Sequence, residues 1–235
     1  MEVQIAVAKT KKYATSDSGD TVEVIERPNG GLSVVLADGQ SSGRGAKAIS
    51  NMVVRKVIAL LSEGVRDGAA ARAASDLLYT EKRGKVSATL NILSIDLQTK
   101  TLVITRNNPV PVWLAKGDTV TCLGEDSQPI GLYRDTRPLI IELPLEAGLT
   151  AIVFSDGLVH AGSRTGEQID ICTSISALVD LAEPTPQEIA DSLLEQAVKL
   201  DHSRPVDDIS VVVVCVLTRA GDDVRRMSVR LPFEA

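Results

Sequence analysis

The stretch Leu32–Gly45, LSVVLADGQSSGRG, decides how the rest of the chain reads. A mostly apolar run, Leu32 to Ala37, drives toward Asp38 and Gly39 and stops. A small polar loop follows, and Gly43 and Gly45 open a helical pattern. A buried strand that ends on a carboxylate, with glycine beside it, sets a fixed negative charge at a sheet edge with little bulk around it. The same device returns in Thr150–Gly157, TAIVFSDG. Taken singly, an Asp-Gly pair after a strand is an ordinary turn former.

Upstream, Val22 to Glu26 alternates apolar and polar residues, and Pro28-Asn29-Gly30-Gly31 is a turn signal. A turn centred on Asn29 and Gly30 makes paired residues sum to about 59. That pairing sets Asp20 opposite Asp38 and Gly39. Alone, Asp20 also reads as a residue that begins a turn.

Downstream, Ala46, Ile49, Val53, Val57, Leu60 and Leu61 fall at helical spacing, and Gly64 ends the run. A second helix is expected over 67–81. Strands are expected at 3–8, 86–96, 101–105, 112–115, 119–123, 139–143 and 150–155. Helices are expected over 171–181 and 186–200, the latter opened by Thr185, Pro186 and Glu188 as a capping box. Asp207-Asp208 precedes ISVVVVCVL, Ile209–Leu217, and Val229–Phe233 reads as a last edge strand. The order is strands, two helices, many strands, two helices, then strand. It is not the regular alternation of a parallel sheet. It predicts one α+β domain over 1–235, with two mostly antiparallel sheets back to back and a helix pair on each outer face.

Aromatic residues make up only 3% of the chain, so the core must be aliphatic. The net charge of −6 argues against nucleic-acid binding, which needs a basic stripe. Cys122, Cys172 and Cys215 form no CxxC pair and leave one over, which points away from zinc sites and disulfides and toward a reducing compartment. The N-terminus lacks the pattern of a signal peptide and no apolar run spans a membrane, so a cytoplasmic protein is expected.

Four carboxylates stand at strand ends: Asp20, Asp38, Asp156 and Asp207. In antiparallel sheets the start of one strand and the end of its neighbour share an edge, so all four can converge. Gathered carboxylates repel one another, and divalent cations neutralise them. An all-oxygen set suits Mn²⁺ or Mg²⁺. The only histidines are His160 and His202, too few to suggest zinc. Gly39 and Gly157 would keep the site open, and Gly39 could offer its carbonyl. A pair of such ions holds and activates a water for in-line displacement at phosphorus, without a protein nucleophile. The chain carries no GxSxG elbow and no GxxxxGK[ST] loop. Asp207-Asp208 has a blander reading as a charged guard for the sticky strand behind it.

Ser18-Gly19-Asp20, Ala37-Asp38-Gly39 with Gly43 and Gly45, Phe154-Ser155-Asp156-Gly157-Leu158 and Asp207-Asp208-Ile209-Ser210 resemble, in order and spacing, the type 2C metal-dependent serine/threonine phosphatases. Their bacterial SpoIIE-type branch is nearer still, and the compact length resembles its RsbX-like stressosome members. The resemblance covers about Asp17 to Val216. It implies an α-β-β-α sandwich, two Mn²⁺ or Mg²⁺ ions, and hydrolysis of phosphoserine or phosphothreonine on a phosphorylated regulatory protein of the STAS type. It implies that Asp38 bridges both ions, that Gly39 ligates one through its carbonyl, and that Asp20 completes the second. Asp156 and Asp207 would hold the first, and Asp208 would orient rather than ligate. Arg44, in the loop after Asp38, could clamp phosphate, although it also reads as a plain surface arginine. The chain departs from the branch at Arg106-Asn107-Asn108-Pro109, where a histidine is usual, and at Ser155, where threonine is usual. Two other functions fit the same residues: a phosphoprotein-binding module without turnover, and a hydrolase of small phosphoesters.

Overall fold

In a computed structural model that describes residues 1–179, 184–218 and 222–232, two five-stranded sheets lie face to face. The first is ordered β1 (Glu2–Thr10), β10 (Ile209–Leu217), β9 (Leu149–Phe154), β6 (Val112–Lys116), β7 (Thr119–Leu123). The second is ordered β2 (Asp20–Glu26), β3 (Leu32–Gly39), β4 (Ala88–Asp96), β5 (Thr101–Asn107), β8 (Leu139–Pro144). Every ladder is antiparallel. Helices α1 (Gly43–Ser62) and α2 (Asp67–Lys82) cover the second sheet, and α3 (Asp156–His160), α4 (Ile171–Val179) and α5 (Pro186–Leu200) cover the first.

The two-residue period of the strands builds three apolar layers. On β3, Val34 and Leu36 face the opposite sheet, while Val35 and Ala37 face α1 and α2. On β10, Val212, Val214 and Val216 face the opposite sheet, while Val211, Val213 and Cys215 face α5. This explains why ISVVVVCVL shows no alternation: a central strand buried on both faces needs apolar residues at every position. The four-layer α-β-β-α order expected from the sequence is the order found.

Four details differ from the expectation. The hairpin loop holds three residues, 28–30, because Gly30 adopts φ 86° and the Arg27 N–H donates to the Gly31 carbonyl. Asp20 therefore sits directly against Asp38 rather than between Asp38 and Gly39. Asp156-Gly157, expected as the end of a strand, opens the short helix α3. The strand expected at 229–233 does not form in its described part: Val229 and Leu231 are 84% and 82% exposed, and Phe233 lies outside the described residues. The alternation there is real, but no sheet edge receives it. Of the helix expected over 171–181, residues 171–179 are helical and 180–181 lie outside the described residues. The capping box at Thr185 forms, with the Thr185 hydroxyl accepting from the Glu188 N–H.

Candidate metal centre

Side-chain parity carries the functional groups to one place. Val22, Val24, Val34 and Leu36 face the space between the sheets, so Asp20 and Asp38 do too. By the same count Ser210 on β10 and Ser155, just past β9, extend the inner face of the other sheet. The two sets meet across the gap. The Ser210 hydroxyl donates to Asp20 Oδ2 at 2.6 Å, and the Ser155 hydroxyl accepts from the Ser210 N–H at 2.9 Å. The other oxygen of the fully buried Asp20, Oδ1, has no hydrogen-bond partner among the described residues.

Asp156 opens α3, with Asp207 beside it and His160 one turn further on. Ligand atoms of Asp156, His160 and Asp207 all lie within 4.8 Å of one another, and His160 Nδ1 is 3.8 Å from Asp156 Oδ2. Burial pushes the Asp38 carboxyl up to about 9, and the charges of Asp20, Asp156 and Asp207 add to the shift. Burial also raises Asp20, and burial with the Asp207 charge raises Asp156. These are carboxylates pressed together without enough positive charge. The orphaned Asp20 oxygen and the raised acids fit a hard divalent cation, which accepts oxygen donors and removes the repulsion. All four acids singled out in the sequence are brought together.

Other residues of the site escaped the sequence reading. The ammonium groups of Lys9 and Lys47 donate to the Asp20 carbonyl at 2.6 and 2.7 Å. Burial lowers the Lys9 ammonium below its usual range, and the neighbouring Lys47 charge lowers it further. His160 was legible only through its i,i+4 spacing from Asp156, a signal that has meaning once α3 is known to be a helix. Ser210 was legible as the polar residue on the inner face of an apolar strand.

Asp208 is bound to backbone on the N-terminal side of the site. Its carboxylate accepts from the N–H groups of Lys12 at 2.9 Å and Gly19 at 2.8 Å, and so pins the loop that leads into Asp20. The two glycines have a different task from leaving space open. A Cβ on Gly39 would lie 2.1 Å from the Ala46 carbonyl oxygen, and one on Gly157 would lie 2.1 Å from that of Asp208. Glycine is required because backbone of α1, or of the segment before β10, packs directly on it.

Arg44 extends from the first turn of α1 with its side chain 88% exposed, 3.5 Å from Asp17. No hydrogen bond or ion pair among the described residues joins it to the four acids. The segment that lacks the usual histidine serves as a buried brace. Arg106, 1% exposed, donates to the carbonyls of Val110 and Glu125, and Asn107 donates to those of Gln128 and Arg137 at 3.0 and 3.3 Å.

A family model described as stage II sporulation protein E (SpoIIE) matches residues 28–217. The stage II sporulation protein E of Bacillus subtilis (strain 168) is 26% identical over 89% of the chain, which spans only 27% of that protein's length. A solved structure of the PP2C phosphatase domain of SpoIIE from Bacillus subtilis, with a fragment of its regulatory domain, superposes with a TM-score of 0.79. It is 25% identical, and the match covers 94% of this chain and 64% of that one. RsbX, solved with magnesium, superposes with a TM-score of 0.68 at 16% identity, covering 90% of this chain and 94% of that one. The catalytic domain of the phosphatase PstP, solved with 2 manganese ions, gives 0.70 at 19%, covering 92% and 99%. With the family model spanning residues 28–217 and a TM-score of 0.79 to the PP2C phosphatase domain of SpoIIE, the chain belongs to the SpoIIE family and carries the PP2C phosphatase fold.

Proposed function

We propose that the chain is a metal-dependent protein phosphatase that removes phosphate from serine or threonine on a phosphorylated regulatory protein of the STAS type. The observation that carries this reading is the convergence of Asp20, Asp38, Asp156 and Asp207, with one buried carboxylate oxygen left without a protein donor. Family membership and the magnesium and manganese seen with RsbX and PstP support it. The STAS-type partner rests on the likeness to SpoIIE and RsbX, and a cytoplasmic location agrees with the absence, among the described residues, of a helix long and apolar enough to cross a membrane.

In this reading Asp38, Asp156 and Asp207 would hold one cation, Asp38 and Asp20 would hold a second, and the Gly39 carbonyl would ligate one of the two. Mn²⁺ or Mg²⁺ bound there would compensate the clustered negative charge and would lower the pKa of water enough to supply a nucleophile at neutral pH. The protein's own task is to keep the donors fixed. Ser210 holds one oxygen of Asp20, leaving the other without a protein donor among the described residues. Lys9 and Lys47 hold the Asp20 carbonyl, and Asp208 fixes the loop that leads into Asp20. Such supporting contacts are worth about 10–100-fold in metal affinity or activity. Arg44 is the residue nearest in sequence that could draw a phosphoryl group toward Asp38.

The test is hydrolysis of an aryl phosphate and of a phosphoserine protein by the purified chain. Activity should vanish with EDTA and return with Mn²⁺, and the phosphoprotein should turn over faster than the aryl ester. A folded protein inactive with every divalent metal would overturn the phosphatase reading in favour of a binding module. Preference for small esters would point to a phosphoesterase.

A further inference from the structure

A cavity of about 370 Å³ opens between the segment that follows His160 and the segment that precedes Asp207, lined by Arg164, Thr165, Asp201, His202 and Arg204. Its basic lining runs against the net charge of −6 on the chain. Asp201 is the one acid in the lining, and both of its carboxylate oxygens are already held by backbone donors. It is buried, its Oδ1 accepts from the Gly162 N–H and its Oδ2 from the Val206 N–H, both at 2.9 Å. The guanidinium groups of Arg164 and Arg204 take part in none of the ion pairs among the described residues.

The cavity is also held in shape before any ligand arrives. Arg204 stacks over the Tyr13 ring, 5.3 Å from its centroid, and the Tyr13 N–H donates to the Pro205 carbonyl at 2.9 Å. His202 and Ser203 are consecutive residues in the left-handed region, at φ 51° and 61°. Two non-glycine residues in that conformation cost energy, and the buried Asp201 carboxylate clamps the segment in it. Strained backbone, guanidinium groups without an ion pair among the described residues and a volume that admits a side chain are what a preorganised oxyanion site requires.

We propose that this cavity is a subsite for an acidic side chain of the protein substrate. The proposal rests on the phosphatase reading for its place in the reaction. Arg164 follows His160 by four residues and Arg204 precedes Asp207 by three. Chain length alone keeps each within about 14 Å of the metal-binding segment beside it. An extended peptide covers that span with about four residues, so the acidic residue recognised lies within a few positions of the phosphorylated one.

The test measures binding of a fluorescein-labelled hexaglutamate peptide to the full chain loaded with Mg²⁺, by fluorescence anisotropy at low salt. The double variant Arg164→Glu with Arg204→Glu should weaken Kd by about tenfold or more. Arg164→Glu alone, in an exposed turn, should weaken it by about threefold with an unchanged melting temperature. Unlabelled hexaglutamate should displace the probe, and an equal concentration of inorganic phosphate should not. Equal affinity in wild type and both variants would overturn the proposal. So would displacement by equimolar phosphate, which would mark a free-anion site. The measurement needs no turnover. Charge-dependent peptide binding without hydrolysis would sink the phosphatase reading alone, and hydrolysis without charge-dependent binding would sink the subsite alone.

Discussion

Gly157 packs against the backbone of Asp208 so closely that a Cβ would stand 2.1 Å from its carbonyl oxygen. This contact fixes α3, which carries Asp156 and His160, against the segment that carries Asp207. Gly157→Ala must push the two apart. The expected outcome is a loss of about 1–3 kcal/mol in urea unfolding and a drop of at least about tenfold in Mn²⁺ affinity by calorimetry. Wild-type affinity in this variant would show that the contact does not set the metal geometry.

Asp38 stands at the centre of the acidic cluster, so its removal separates stability from function. Asp38→Asn should lower phosphatase activity by more than about a hundredfold, beyond the range of supporting contacts. The metal-free variant should melt no lower than wild type, because one repelling carboxylate is gone. Full activity would remove the two-metal reading.

The metal-free protein should lose stability as pH rises. Asp38 is raised in the folded state to about 9, above its ordinary value near 4. Between those values the folded chain binds more protons than the unfolded chain. The stability linked to this group is therefore fully present below about pH 4 and is lost progressively as pH approaches 9. Asp20 and Asp156 are raised as well and act in the same direction. Melting temperatures in EDTA should fall from pH 5 to pH 9, and Mn²⁺ should abolish the slope. A flat profile in EDTA would contradict the crowding of the acids.

Arg106 braces the 106–110 turn from inside, with its Nε unpartnered among the described residues and two carbonyls depending on it. Arg106→Met fills similar space but leaves those carbonyls unpaired. It should cost about 2–4 kcal/mol in chemical denaturation. A cost below about 0.5 kcal/mol, the scale of a neutral surface change, would mean that water replaces the guanidinium.

Much of the fold is written in local pattern. The alternation of Val22–Glu26, the turn after it and the apolar run to Asp38 are near-neighbour effects, and they specified a hairpin ending in two facing carboxylates. The exact partner of Asp20 depended on whether the loop held two or three residues, which the conformation of Gly30 decided. Residues whose role depends on a distant partner stayed hidden. Lys9 and Lys47 look like surface cations until the chain brings both to one carbonyl.

By itself, then, the sequence determined most of the strand and helix order, the aliphatic core and the four acids next to strand ends, because period, turn chemistry and composition act over a few residues. Tertiary structure alone decided the rest. Facing two sheets across one apolar layer turned Ser210 toward Asp20, packed Gly157 on Asp208, and gathered Arg164, His202 and Arg204 around one cavity. Those relations span tens to hundreds of residues. They follow from how layers pack, which no local pattern encodes.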